Sequence, residues 1–399
     1  MSKKPRNLGD ELRGATRLAI EATRGVTDLV EAVHRTIAGG PDVLGRPLEG
    51  PVRVLTAPVY GSIRGITRLV GVGLDRALAQ LAPLLGDDGP GAEREAVIGA
   101  LNGVLGDYLE EHHNPLAIEM QLRRQGTPIV LEREALRTTF AAPTGKLLVM
   151  LHGSCMNDRQ WSWHGHDHGA ELARDLGYSP LYLHYNSGRH ISTNGRAFAA
   201  MLDDLRSAWP VPVSELVLLT HSMGGLVARS ACHFAEAERR PWREKLRAMI
   251  FLGTPHHGAP LERGGNWIDV LLGVSRYSAP FARLGRIRSA GVTDLRFGCV
   301  LDEHWEGRDR FAGEADPRVV LTLPEGVDCY TVAATTAATP SDTLPGDGLV
   351  PVDSALGRHA KRGLSLAFAD THRFIAYGTG HLELLGSRAV YEQLRAWLG

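Results

Sequence analysis

The stretch LLTHSMGGLVARSA, residues 218–231, decides the fold: an apolar run closes at His221, Ser222 stands at the junction, and a segment rich in small residues opens at Met223. Strand, tight turn and helix therefore meet at one serine. On such a turn a strained backbone pushes the hydroxyl clear of the sheet, and a small neighbour such as Gly224 lets strand and helix pass close together. The usual pattern is Gly-x-Ser-x-Gly; here Thr220 stands for the first glycine and adds a Cβ and a methyl where the turn is crowded. A helix N-cap serine followed by packing glycines would look the same locally. Partners elsewhere in the chain have to separate the two readings.

Working outward, the run ELVLLTHS (215–222) is one of a series: TPIVLE (127–132), KLLVMLHG (146–153), SPLYLHYN (179–186), RAMIFLGT (247–254), DCYTVAAT (328–335) and HRFIAYG (372–378). Helical patterns lie between them, the clearest being Phe198, Met201, Leu202, Leu205 and Trp209 on one face. Buried strands separated by helices predict a mostly parallel central sheet with helices on both faces, and in such sheets the chemistry lies at the carboxyl ends of the strands.

A nucleophilic serine needs a base, the base an orienting carboxylate, and the oxyanion preorganised N–H donors. Each has a candidate at the end of a different run. His381 in YGTGHLELLG follows the last one, on a loop loosened by Gly378 and Gly380. Asp347 in PGDGLVPVDS precedes it and is preferred to Asp342 and Asp353 because its glycine neighbours leave the carboxylate accessible. The order Ser222, Asp347, His381 is the one this topology uses. For the oxyanion, the N–H of Met223 is one donor and that of Ser154 the other, with Cys155 as its competitor; His152, Gly153 and His221 are expected to shape the approach of the substrate.

The segments LHGSCMND, THSMGG, FLGTPHHGAP, GDGLVPVDS and GTGHLELL, in this order, resemble the α/β-hydrolase lipases and esterases, most of all the bacterial lipases and the GPI inositol-deacylase-like hydrolases. The resemblance spans roughly residues 125–399. It implies an α/β-hydrolase fold with Ser222 as nucleophile, Asp347 and His381 as its partners, and the N–H groups of Ser154 and Met223 as the oxyanion hole. Members with Ala or Thr at the place of Thr220 are included in it. Some of these lipases hold a structural calcium near the histidine, where Glu383 falls, but no second carboxylate matches and no metal is expected.

The first 120 residues lie outside the resemblance and read as an N-terminal helical extension, leaving 121–399 for the hydrolase domain with a cap-like insertion at about 260–318. Leu12, Ala15, Leu18, Ala19, Ala22, Val26, Leu29, Val30, Val33 and Ile37 follow helical spacing, and the opposite face mixes charge signs. Arg-Gly-x-Thr-x-Leu recurs at 13–18, 24–29 and 64–69, and a further helix is expected to run to about Glu111. In the insertion, Trp267 and Leu271 are candidates for an apolar lining of the substrate site.

With 43% hydrophobic and 22% charged residues and a formal net charge of −1, the 399-residue chain offers no global charge to draw it to nucleic acid. No stretch reaches the ~20 apolar residues of a membrane span, the N-terminus lacks a secretory core, and a cytoplasmic location is expected. Cys155, Cys232, Cys299 and Cys329 have no CxxC spacing, so buried thiols are expected rather than disulfides or zinc. WSWHGHDHGAE, residues 161–171, crowds His164, His166, Asp167 and His168, yet it reads as the start of a helix with Asp167 or His168 near its cap.

Together these features predict a serine carboxylic-ester hydrolase, an esterase or lipase, working through an acyl-enzyme without a cofactor on a small-molecule ester or lipid. The N-terminal helices are candidates for a lipid-surface contact or a homodimer contact. The alternatives are a thioesterase, lactonase or acyltransferase on the same fold, and, in a different class, a non-catalytic scaffold that binds lipid or a partner.

Overall fold

The computed structural model describes residues 92–111, 113–258, 289–308 and 316–399. The amphipathic pattern of residues 12–37, the repeated motif, Trp267 and Leu271 lie outside the described residues. The chain forms two compact units, one of Glu95–Tyr108 with Ala117–Gly399 and one of Met1–Arg94 with Leu109–Leu116. The first carries the sheet.

Eight strands form one sheet: β1 (Gln121–Arg124), β2 (Thr127–Pro128), β3 (Lys146–Leu151), β4 (Ser179–His184), β5 (Glu215–His221), β6 (Leu246–Leu252), β7 (Asp328–Thr335) and β8 (Arg373–Tyr377). Their spatial order is β2-β1-β4-β3-β5-β6-β7-β8. From β4 to β8 every pairing is parallel, while β1 runs antiparallel to β4 and to β2. This is the α/β-hydrolase architecture.

Six of the seven apolar runs became strands as expected. TPIVLE did not: only Thr127–Pro128 pairs, at the sheet edge, and the partner of β4 is the preceding QLRR, which no apolar run marks. Arg123 can be buried there because its guanidinium meets Glu95 at 2.7 Å and Asp158 at 3.2 Å. Buried charge is tolerated when paired in this way.

The helices are α1 (Ala92–Glu111), α2 (Arg133–Thr139), α3 (His168–Leu176), α4 (Ile191–Ala208), α5 (Met223–Ala237), α6 (Ala290–Asp294), α7 (Val352–Ala355) and α8 (Arg388–Leu398). One face of the sheet packs Phe198, Leu202 and Leu205 of α4, Trp209 just beyond its end, and Leu226 and Val227 of α5. The other packs Leu172 of α3 and Tyr391, Leu394 and Leu398 of α8. Each such side chain contributes roughly 1.5–3 kcal/mol by leaving water, and strands covered on both faces need no polar alternation. All four cysteines are buried and unpaired. No helix among the described residues is long and apolar enough to cross a membrane.

Candidate active site

Ser222 follows the last residue of β5 and opens α5 with φ +53° and ψ −124°, a conformation that L-residues rarely adopt. Its side chain makes no capping hydrogen bond. The N-cap reading therefore fails, and the strain serves to present the hydroxyl. The turn is held by the main chain, with Ser222 N donating to Leu252 O at 2.9 Å. A Cβ on Gly224 would stand 2.5 Å from Leu151 O and 2.7 Å from His152 O, so strand and helix do pass too close for a side chain. Thr220 fits where glycine is usual because its Oγ1 donates to Ile250 O at 2.9 Å within the sheet.

His381 and Asp347 come together from the ends of β8 and β7. Nδ1 of His381 lies 2.7 Å from Oδ2 of Asp347, and both side chains are buried. The other carboxylate oxygen of Asp347 accepts Leu349 N at 2.9 Å and Val350 N at 2.7 Å. Burial opposes ionisation of Asp347, but the His381 charge and hydrogen bond and the two amides outweigh it and hold the carboxyl below its ordinary value. Since an ionised carboxylate only accepts, it is Nδ1 of His381 that carries the proton between them. Asp342 and Asp353 are both exposed, and Asp353 pairs with Arg358.

The loop after β8 is fixed at several points. His381 N donates to Asp347 O at 3.1 Å, and Glu383 accepts Gly380 N at 2.6 Å. His221 Nε2 lies 3.0 Å from His381 O, with the two imidazoles 4.7 Å apart. Burial first, then the neighbouring His381, pushes the pKa of His221 down to about 3, so the ring is neutral. A carbonyl only accepts, which places the proton on Nε2. Among the described residues no hydrogen bond joins Ser222 Oγ to His381. The elbow and the histidine loop are tied through His221.

His152 and His221, expected to shape the approach of the substrate, are both fully buried. His152 stacks on Tyr185 at 4.4 Å, and Tyr185 Oη donates to His152 O at 2.8 Å, so its ring supports the loop from within. Gly153 does face the elbow, since a Cβ there would lie 3.0 Å from Ser222 Cβ. Beyond it, Cys155 has φ +60° and its N donates to Ser187 Oγ at 3.1 Å. The Cys155 amide is thus engaged, while Ser154 lies directly before it and Met223 at the first position of α5, where a helix leaves its N–H unused.

The histidine-rich segment is structural. Asp167 caps α3 by accepting Ala170 N at 3.0 Å and also accepts Tyr182 Oη at 2.8 Å. His166 Nε2 meets His168 Nδ1 at 2.8 Å, and His168 Nε2 meets Leu384 O at 2.9 Å. Elsewhere Glu95, Asp158 and His184 converge as metal ligands could, but the Arg123 guanidinium already supplies the cation to both carboxylates. Sequence reasoning missed the linking parts: Ser187, the pairing of His221 with the His381 carbonyl, and Asp294, which accepts Ile191 N at 2.8 Å at the start of α4. Their partners are distant in sequence and mostly main-chain atoms, which leave no residue signature.

Residues 142–322 match the family described as PGAP1-like alpha/beta domain. No curated protein matches the chain. Among solved structures the chain is similar to the mature Bacillus licheniformis lipase BlEst2, at 17% identity over 64% of this chain and 94% of that one with a TM-score of 0.42. It is also similar to lipase B of Aspergillus fumigatus, at 12% identity over 66% and 56% with a TM-score of 0.36. A third likeness is the RedJ thioesterase of prodiginine biosynthesis from Streptomyces coelicolor, at 16% identity over 65% and 91% with a TM-score of 0.34. Likeness at this level says nothing about the reaction, which the chain's own residues must carry.

Proposed function

We propose that this α/β-hydrolase domain, of the lipase and esterase superfamily, is a serine carboxylic-ester hydrolase. The observation that carries the reading is the buried His381–Asp347 hydrogen bond of 2.7 Å, taken with the strained turn that holds Ser222. Ser222 Oγ attacks the ester carbonyl carbon and gives its proton to Nε2 of His381. The oxyanion rests on the N–H groups of Ser154 and Met223, with the positive end of α5 behind the second. On collapse the C–O bond to the alcohol breaks, and the alkoxide leaves with the proton from His381. Water then loses a proton to the same nitrogen and attacks the acyl carbon; the acid leaves as Ser222 regains its proton. Asp347 holds the tautomer and stabilises the imidazolium throughout.

The test is hydrolysis of p-nitrophenyl esters from acetate to palmitate by the wild type and by Ser222→Ala. Loss of turnover by at least about a thousandfold on substitution supports the reading, and the chain-length optimum separates esterase from lipase. Equal rates for the two proteins would remove Ser222 from the mechanism. A wild type that cleaves thioesters but no ester would move the proposal to a thioesterase.

A further inference from the structure

The helix α1 precedes the region of family resemblance, yet its stretch Glu95–Tyr108 lies in the same compact unit as the sheet. Gly99 and Gly103 recur at helical spacing along it, and Gly106 follows just after a kink at Leu105. Each is pressed against a loop at the carboxyl end of a strand. A Cβ on Gly99 would stand 2.8 Å from Met156 O, and one on Gly106 would stand 2.7 Å from Asn186 Cγ. At Gly103 a Cβ would come 2.7 Å from Cys155 Cα and 2.8 Å from Cys155 N, and would run into its Sγ as well. Two of those atoms are backbone, which cannot swing aside. The contact is pinned by polar bonds: Ser289 Oγ donates to Gly103 O at 2.7 Å, Asn186 Nδ2 to Gly106 O at 2.8 Å, and Ile118 N to Asn102 Oδ1 at 2.9 Å.

Cys155 is the residue so confined, and it follows Ser154. Its φ of +60° is costly for a non-glycine residue, and its side chain is buried. Ser187 Oγ grips its N–H on one side and the bare flank of α1 closes on the other. Ser154 and its amide are thereby carried on a loop with no room to relax. We propose that Glu95–Tyr108 is a positioning element of the oxyanion hole: Gly103 admits Cys155 in its left-handed conformation, and that fixes the N–H of Ser154. This rests on the ester-hydrolase reading above. The helix acts through the loop and touches no reacting atom.

The test compares Gly103→Ala with the wild type in ester hydrolysis and in inhibition by phenylboronic acid, whose serine adduct mimics the tetrahedral anion. Leu205→Ala, in the core under α4, serves as a destabilised control. Loosening one oxyanion donor predicts a fall in kcat of about 10²-fold with KM within about twofold, and a boronate Ki that rises in step with the loss of kcat. The control keeps kcat and Ki. If Gly103→Ala fails to fold, Ser187→Ala releases the same amide from the other side and should lower kcat by roughly tenfold with KM unchanged. A folded variant with wild-type kcat overturns the inference, as does a rise in KM with Ki unmoved. A wild type that turns over no ester and whose Ser222 resists a fluorophosphonate defeats the ester-hydrolase reading itself, and this inference falls with it.

Discussion

Ser222 occupies a backbone conformation that costs of order 1–3 kcal/mol for a residue with a Cβ, and its neighbours are arranged to sustain it. His221 is the least expected of them. The sequence places it beside the serine, where a substrate contact was the natural reading; its ring instead reaches a main-chain carbonyl 160 positions on. Its Nε2–H holds His381 in the position where Nδ1 meets Asp347. Removing that donor by His221→Leu should lower kcat by roughly tenfold with little change in KM, since a buried carbonyl is left unpaired and the imidazole loosens. His221→Gln, whose side-chain amide reaches about as far, should recover most of the loss; equal rates for the two variants would show that the ring acts by bulk alone. The Gly-Asp-Gly context of Asp347 marks a turn that only glycine enters freely, with Gly346 at φ +80° and Gly348 at φ +95°, but the accessible carboxylate expected from it is instead buried against His381. The bond made by His221 was not legible, because its acceptor is a backbone oxygen and any residue would supply one.

Elements were legible in proportion to their apolar runs. Strands β3 to β7 follow from continuous buried stretches and β8 from an apolar but mostly half-buried one, whereas β1 is a polar QLRR that is buried only because Arg123 finds two carboxylates. The helix α1 shows the opposite difficulty. Its pattern announces a helix, but a glycine flank reads as weak helix propensity until the loop that it admits is seen. The α5 junction gives this a measurable form. At Gly224 the opposing atoms are the carbonyl oxygens of Leu151 and His152, both main chain at the carboxyl end of β3, so neither swings aside as a side chain would. Gly224→Ala should therefore destabilise the protein by about 2–3 kcal/mol as an overpacked contact, against the gain of up to ~1 kcal/mol that an alanine brings to an unobstructed helix. Urea unfolding of the two proteins decides between loss and gain. The sign of the change is the point at issue, because sequence alone predicts the gain.

For the whole molecule, the consequence of this architecture is a dependence on neutral histidine. His152, His168, His221, His256 and His304 are buried. Burial lowers each from its ordinary value of 6.5: His152 and His221 to about 3, His168 and His304 to about 4, and His256 well below the ordinary value. In the unfolded chain all five bind a proton near pH 6.5; in the folded one they do not. Between these limits the unfolded state holds more protons, so stability is complete above about pH 6.5 and falls as the pH drops. Each group costs about 1.4 kcal/mol per pH unit in that window, and five together cost about 7. A typical domain stability of about 5–15 kcal/mol is exhausted within one to two units. The depressed carboxyls Asp158 and Asp347 act only lower, below about pH 4. Acid unfolding should thus have its midpoint near pH 5, well above the range set by carboxylates alone. Thermal unfolding followed by circular dichroism at pH 7.5, 6.5, 5.5 and 4.5 reads this directly: Tm should hold between the first two and drop steeply across the last two. A Tm flat down to pH 4.5 would mean that these rings take up protons while folded, and that their surroundings are less dry than their packing implies.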